Sequence, residues 1–181
     1  MTGHPIPPQE YTQILDRASV AKVDVDSLVV QLYRWGDGPV CFVLLHGGYG
    51  SWAHWIKVIP QLEHFATVIA PDMPGFGCSD TPVEPHTAES VAGPLAAALG
   101  GLVGQQKIIL AGFSFGGAIA GHVASLMASQ IEHLVLLGPG GTGAPRGEMS
   151  DLIRRTKEMS REDIRDAHRR NLEILMVRDA S

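Results

Sequence analysis

The chain has 181 residues, 45% of them hydrophobic and 18% charged, with a formal net charge of −5. That length suits one domain of ordinary size, and the hydrophobic share supports a packed core, which excludes wholesale disorder. The acidic balance leaves no basic surplus to neutralise phosphates, so no nucleic acid partner is expected. No apolar run reaches the ~18 residues of a membrane helix, so no membrane partner is expected either.

The first residues, Met1 to Glu10, carry three prolines and no apolar core segment, so they do not read as a signal peptide. Cys41 and Cys78 are too few for a disulfide framework, and their surroundings match no metal-ligand spacing. A reducing, cytoplasmic setting follows, with no cofactor and no metal expected.

Residues Val20 to Trp35 alternate apolar and polar around Asp26-Ser27, which predicts an antiparallel hairpin. Val40 to Leu45 (VCFVLL) is a continuous apolar run, as in a strand buried on both faces. Trp52, Trp55, Ile56 and Ile59 then fall at helical spacing, predicting a helix over 52–62 with Pro60 near its end. Phe65 to Ala70 (FATVIA) is a second buried strand, and Pro71 to Asp80 is rich in turn residues. Thr87 to Val103 reads as a helix in which Gly93-Pro94 predicts a kink or a late start. Lys107 to Phe113 (KIILAGF) is a third buried strand, Gly116 to Met127 a helix of small residues, and Ile131 to Leu137 (IEHLVLL) a fourth strand. Strands alternating with helices predict an α/β fold: a doubly wound, mostly parallel sheet with the antiparallel N-terminal hairpin at one edge.

Charge is unevenly distributed. Seventeen of the 33 charged residues lie in the last 37. An organisational boundary is placed at the Gly/Pro cluster from Gly138 to Gly147, dividing a core over 1–144 from a tail over 145–181. In the tail, Ser160-Arg161-Glu162-Asp163 matches a capping box. Ile164, Ala167, Leu172, Leu175 and Met176 make an apolar stripe behind it, predicting a helix from about Arg161 to Val177. A shorter helix is expected around Met149 to Met159.

Gly112-Phe113-Ser114-Phe115-Gly116 is a G-x-S-x-G pattern lying directly after a buried strand and directly before a helix. The chain must turn sharply there, which lifts the Ser114 hydroxyl above the sheet and leaves room only for glycine on either side. The amide of Phe115 points toward any oxyanion formed beside the serine. A second glycine-rich loop, His46-Gly47-Gly48-Tyr49-Gly50, follows an earlier strand, and Gly48 is the candidate for the second oxyanion donor. His46 reads as a structural hydrogen-bonding residue holding that loop. Asp72 and Asp80 read as turn and capping carboxylates. Trp52, Phe113, Phe115 and Met149 are candidate linings of an apolar pocket.

HGGYGSW, APDMPGFGCSD and GFSFGGA, in this order and spacing, resemble the α/β-hydrolase superfamily, and within it the lidded serine hydrolases similar to meta-cleavage-product hydrolases and carboxylesterases. The resemblance covers roughly Val20 to Pro139, with the tail similar to the start of a helical lid. It implies Ser114 as nucleophile and the Gly48 and Phe115 amides as oxyanion hole. Relatives with an aspartate nucleophile are disfavoured by the serine at 114. The implied reaction is hydrolysis of an ester, or of a carbon–carbon bond in a small acid or diketone.

The triad order of this superfamily is Ser, then acid, then His. After Ser114 the chain holds only His122, His133 and His168. His122 lies eight residues on, about 12 Å down the following helix. His133 lies inside a strand and His168 in the tail helix. Asp151, Asp163, Asp166 and Asp179 sit in charged helical stretches. The acid and base are therefore expected to be missing, the sheet to be C-terminally incomplete, and the chain to be an inactive or weak N-terminal portion of such a hydrolase. The strand Ile131 to Leu137 is expected to be an unpaired edge open to self-association. A non-catalytic ligand-binding module of hydrolase type is the alternative. Gly138 to Gly143 spells G-x-G-x-x-G, but Pro139 and Pro145 break the turn-to-helix entry that nucleotide binding requires.

Overall fold

The computed structural model describes residues 9–143, 152, 153, 156 and 158–176. The chain divides into two compact units, Met1–Thr142 and Gly143–Ser181. The first unit begins with helix α1 (Gln9–Leu15) and the hairpin of strands β1 (Ser19–Val25) and β2 (Leu28–Trp35). Asp26 and Ser27 form its two-residue turn, both with positive φ (51° and 68°), and the Asp24 side chain accepts the Ser27 N–H at 2.8 Å. Two positive-φ residues give the twist that matches a right-handed hairpin.

Strands β3 (Val40–Leu45), β4 (Ala66–Asp72), β5 (Ile108–Phe113) and β6 (Ile131–Leu137) follow, with helices α3 (Ala88–Val103) and α4 (Phe115–Leu126) between them. Among the described residues the sheet has six strands in the order β1-β2-β4-β3-β5-β6. β1/β2 and β2/β4 pair antiparallel, whereas β4/β3, β3/β5 and β5/β6 pair parallel. This is the expected mostly parallel sheet with its hairpin on one edge.

The sheet is covered on both faces, which explains why its central strands are apolar throughout. On one face Val30, Leu32, Val43, Leu45 and Leu110 pack with Leu95 and Leu99 of α3 and Ile119 and Val123 of α4. On the other, Tyr33, Trp35, Leu44 and Val68 pack with Ile14, Trp52, Trp55 and Ile59. Trp35 donates its indole N–H to the Ile14 carbonyl at 2.8 Å, tying α1 to the sheet. Helix α1 has no counterpart in the sequence reading. Its signal is the i, i+3, i+4 spacing of Tyr11, Ile14 and Leu15, obscured by the prolines just before it.

Two helical expectations need correction. Residues 52–62 are not one helix. Trp52–Trp55 is a 3₁₀ turn, capped by the Ser51 hydroxyl on the Ala53 N–H, and α2 (Ile59–Leu62) is a separate short helix with Pro60 at its start. Proline fits the first turn of a helix, where its missing N–H would have no partner. Helix α3 does not start late. Thr87 and Ser90 form a reciprocal capping box ahead of it, and the helix runs through Pro94. The cap fixes the start at Ala88, six residues before Pro94.

The second unit contains α5 (Arg161–Met176), where the sequence predicts a helix, and Val177 lies outside the described residues. Asp163 N–H donates to the Ser160 hydroxyl oxygen at 3.1 Å while Ser160 N–H donates to the Asp163 carboxylate at 3.0 Å, a reciprocal cap. Asn171 grips the backbone of Ile153, donating to its carbonyl and accepting its N–H, both at 2.9 Å. Asp151 and Asp179, and most of the expected helix around Met149 to Met159, lie outside the described residues.

Candidate active site

Ser114 sits between β5 and α4 at φ 53°, ψ −116°. A non-glycine residue there stores strain of about 1–3 kcal/mol, so its surroundings must over-determine it. They do. Ser114 N–H donates to the Leu137 carbonyl at 2.9 Å, and the Ser114 carbonyl accepts the N–H groups of Gly117 (3.0 Å) and Gly140 (2.9 Å). The Gly138–Gly143 segment therefore braces the elbow from the end of β6. It continues into no helix as far as Gly143.

The flanking glycines are sterically required. A Cβ on Gly112 would lie 2.4 Å from the Gly116 carbonyl oxygen, and one on Gly116 would lie 2.3 Å from that of His46 and 2.5 Å from that of Leu45. Each contact is with backbone that cannot swing away. The last of them also shows that the elbow is packed directly against the end of β3 and its loop. A Cβ on Gly47 would meet the Phe113 ring at 3.0 Å and Ser114 Cβ at 3.4 Å; one on Gly48 would lie 3.8 Å from Phe115 Cβ. The fold thus brings together all three sequence-predicted site residues, Ser114, Gly48 and Phe115. Phe115 is the first residue of α4, so its N–H has no acceptor within the helix.

The loop after β3 is held by a buried histidine. His46 is fully buried. Its Nε2 accepts the Met73 N–H at 3.1 Å, and its Nδ1 lies 2.8 Å from the Gly47 carbonyl oxygen. Both bonds form together only when the neutral ring carries its proton on Nδ1. Burial lowers its pKa to about 4, so the ring is neutral near pH 7. This is the loop-holding role read from the sequence.

Asp72 ends β4 almost fully buried. Its carboxylate accepts the N–H groups of Trp52 and Cys78, both at 2.9 Å, and the Tyr33 hydroxyl at 3.3 Å. Burial raises its pKa, and those hydrogen bonds oppose the shift. Asp80 accepts the Val29 N–H at 2.9 Å. Both carboxylates tie loops to the sheet, as capping residues do. Trp52, expected at a pocket wall, is 1% exposed and packs in an aromatic cluster with Tyr11, Tyr33 and Trp35, ring centroids 4.9–5.4 Å away. Phe115 lines a pocket. With Phe76, whose ring centroid is 5.7 Å away, it walls a cavity of about 320 Å³ completed by Pro74, Pro82, His86 and Val91. Met149 lies outside the described residues.

Of the later histidines in the first unit, His122 faces out of α4 with its Nδ1 3.9 Å from Glu89, and His133 is exposed in β6, paired in register with Ile109. His168 belongs to the second unit. The Ser114 side chain makes no capping hydrogen bond to α4. Among the described residues no group of three or more His, Cys, Asp or Glu is placed to hold a metal, and no helix is long and apolar enough to cross a membrane.

The alpha/beta hydrolase fold family matches residues 40–172. The chain belongs to that family. A 2-hydroxymuconate semialdehyde hydrolase from a Pseudomonas species is 34% identical over 114 residues, 61% of this chain and 40% of that one. A 2-hydroxy-6-oxo-2,4-heptadienoate hydrolase from Pseudomonas putida is 40% identical over 103 residues, 55% of this chain and 37% of that one. Among solved structures, the epoxide hydrolase CorEH without ligand superposes with a TM-score of 0.62 at 28% identity, over 71% of this chain and 47% of that one. The chain spans less than half the length of these relatives.

Proposed function

We propose that Ser114 is the nucleophile of a serine hydrolase, with the Phe115 and Gly48 amides as its oxyanion hole. The observation that carries this reading is the strained backbone at Ser114. A positive-φ serine, clamped between two sterically required glycines at a helix start, gains nothing as a mere connector. Strain of this kind persists where it presents a side chain for chemistry. The substrate class is an ester, or a carbon–carbon bond in a small acid or diketone. The names of the two Pseudomonas relatives, hydrolases of 2-hydroxymuconate semialdehyde and of 2-hydroxy-6-oxo-2,4-heptadienoate, support the second of these.

A serine hydroxyl without a base is a weak nucleophile. Within the first unit neither His122, beside Glu89, nor His133, exposed in β6, serves Ser114 as a base, so this polypeptide is expected to turn over slowly, with a residual rate from the oxyanion donors. Residues 1–144 serve as core and 145–181 as the beginning of a lid. The test is hydrolysis of a small activated ester by the chain and by its Ser114→Ala variant. Slow release that depends on Ser114 supports the reading. Fast Ser114-dependent turnover would refute the missing base. Equal rates in the two proteins, with ligand still bound, would replace the enzyme by a binding module.

A further inference from the structure

We propose that His54 is a positioning residue for the oxyanion loop, acting by holding the Gly47 N–H so that the next amide, that of Gly48, is left to face the serine. The inference rests on the oxyanion reading above and deepens it. Nothing in the sequence pattern singles out His54, which lies in the 3₁₀ turn Trp52–Trp55.

The geometry is specific. Gly47 N–H donates to His54 Nδ1 at 3.2 Å. The imidazole reaches that point because Gly50 has no side chain: a Cβ there would lie 2.3 Å from the His54 Cε1 and 2.4 Å from its Nε2. The ring is flanked by His46 and Phe113, with centroids 6.0 and 6.2 Å away in edge-on arrangements. His54 therefore fills a slot between the glycine loop and the strand that leads into the elbow. Burial lowers its pKa, which favours the neutral ring, and accepting the Gly47 N–H on Nδ1 leaves the ring proton on Nε2.

Gly47 is consequently held from both sides. Its carbonyl faces His46 Nδ1 and its N–H donates to His54 Nδ1. The Gly47 carbonyl and the Gly48 N–H share one planar trans peptide and point in opposite directions. Fixing the carbonyl thus fixes the direction of the Gly48 donor. Fixing the Gly47 N–H stops the preceding peptide from rotating and offering the wrong amide. The two imidazoles must be opposite tautomers, His46 protonated on Nδ1 and His54 on Nε2.

Two variants of the full chain separate this role from packing. His54→Leu fills the slot without an acceptor. His54→Asn places its Oδ1 where Nδ1 now lies. Two readouts are taken: amide hydrogen exchange at Gly47 against Leu44 by NMR, and the rate of Ser114 acylation by 4-nitrophenyl acetate, with Ser114→Ala as blank. In His54→Leu, Gly47 exchange should rise and acylation fall by about tenfold or more, the effect of one lost buried hydrogen bond and one misdirected donor. In His54→Asn both should stay within about threefold of the parent. Unchanged Gly47 exchange in His54→Leu, or equal losses in both variants, would overturn the proposal. If His54→Leu does not fold, failure of the asparagine variant to retain Gly47 protection and acylation would overturn it. If the parent shows no Ser114 acylation, the nucleophile reading fails, and the Gly47 exchange comparison still decides whether His54 holds the loop.

Discussion

Two glycine-rich turns follow neighbouring parallel strands, and they are built differently. After β5, the elbow Gly112–Gly117 is so tight that added Cβ atoms would strike backbone oxygens at 2.3 and 2.4 Å. After β6, a Cβ on Gly138 or Gly143 would meet nothing within 4 Å, and one on Gly141 only a methyl group at 3.8 Å. The second turn uses glycine for backbone freedom, with φ of 51°, 78° and 74° at Gly138, Gly141 and Gly143. The first uses it for close approach. Close approach marks the place where a strand end, a loop and a helix start converge, and that convergence makes a site. Glycine count alone does not distinguish the two.

The contrast can be broken by substitution. Gly116→Ala carries the largest expected effect. Its Cβ has two carbonyl oxygens in the way, so a loss of about 3 kcal/mol or more is expected, or failure to fold, measured by urea unfolding. A cost below about 1 kcal/mol would mean that the elbow is looser than described.

Acid comes next. His46 is held near a pKa of about 4 in the folded chain against an ordinary 6.5. The unfolded state therefore binds more protons between those values, and stability falls as pH drops from 6.5 to 4. The full difference is about 3 kcal/mol. The lowered pKa of His54 acts in the same direction, and the raised pKa of Asp72 opposes it. Unfolding free energies across that range should show the slope, and His46→Gln should flatten it. A parent chain equally stable at pH 4.5 and 6.5 would contradict the buried neutral ring.

Gly138→Ala should cost only about 1 kcal/mol, the penalty of a Cβ at positive φ with no clash. Gly121→Ala is the smallest test and the one of opposite sign. Gly121 lies exposed in α4 with nothing within 4 Å of an added Cβ, so the substitution should stabilise by about 0.5–1 kcal/mol. A thermal melt of each is sufficient.

The parallel strands and the elbow were legible because their signals are local. VCFVLL and KIILAGF are continuous apolar runs, and G-x-S-x-G states its own geometry. The helix over 52–62 misled because Trp52, Trp55 and Ile59 do face one core, yet they reach it from a 3₁₀ turn and a separate helix whose start is fixed by Pro60. Apolar spacing records which side chains are buried, and two short pieces can bury the same set. His54 was illegible for a related reason. Its partner Gly47 is seven residues away across a tight loop, and the slot depends on the absence of a side chain at Gly50. The exposed edge of β6, where Leu134 to Leu137 are each 40–45% accessible, was legible as a strand.

The most direct test of the central claim is the fate of the acyl group. The chain is incubated with excess 4-nitrophenyl acetate and the product mapped by peptide mass spectrometry. Ser114 as nucleophile predicts slow acetylation on the peptide containing Ser114, absent in Ser114→Ala. Release of nitrophenol at the same rate from both proteins, with no acetyl group on Ser114, would contradict it.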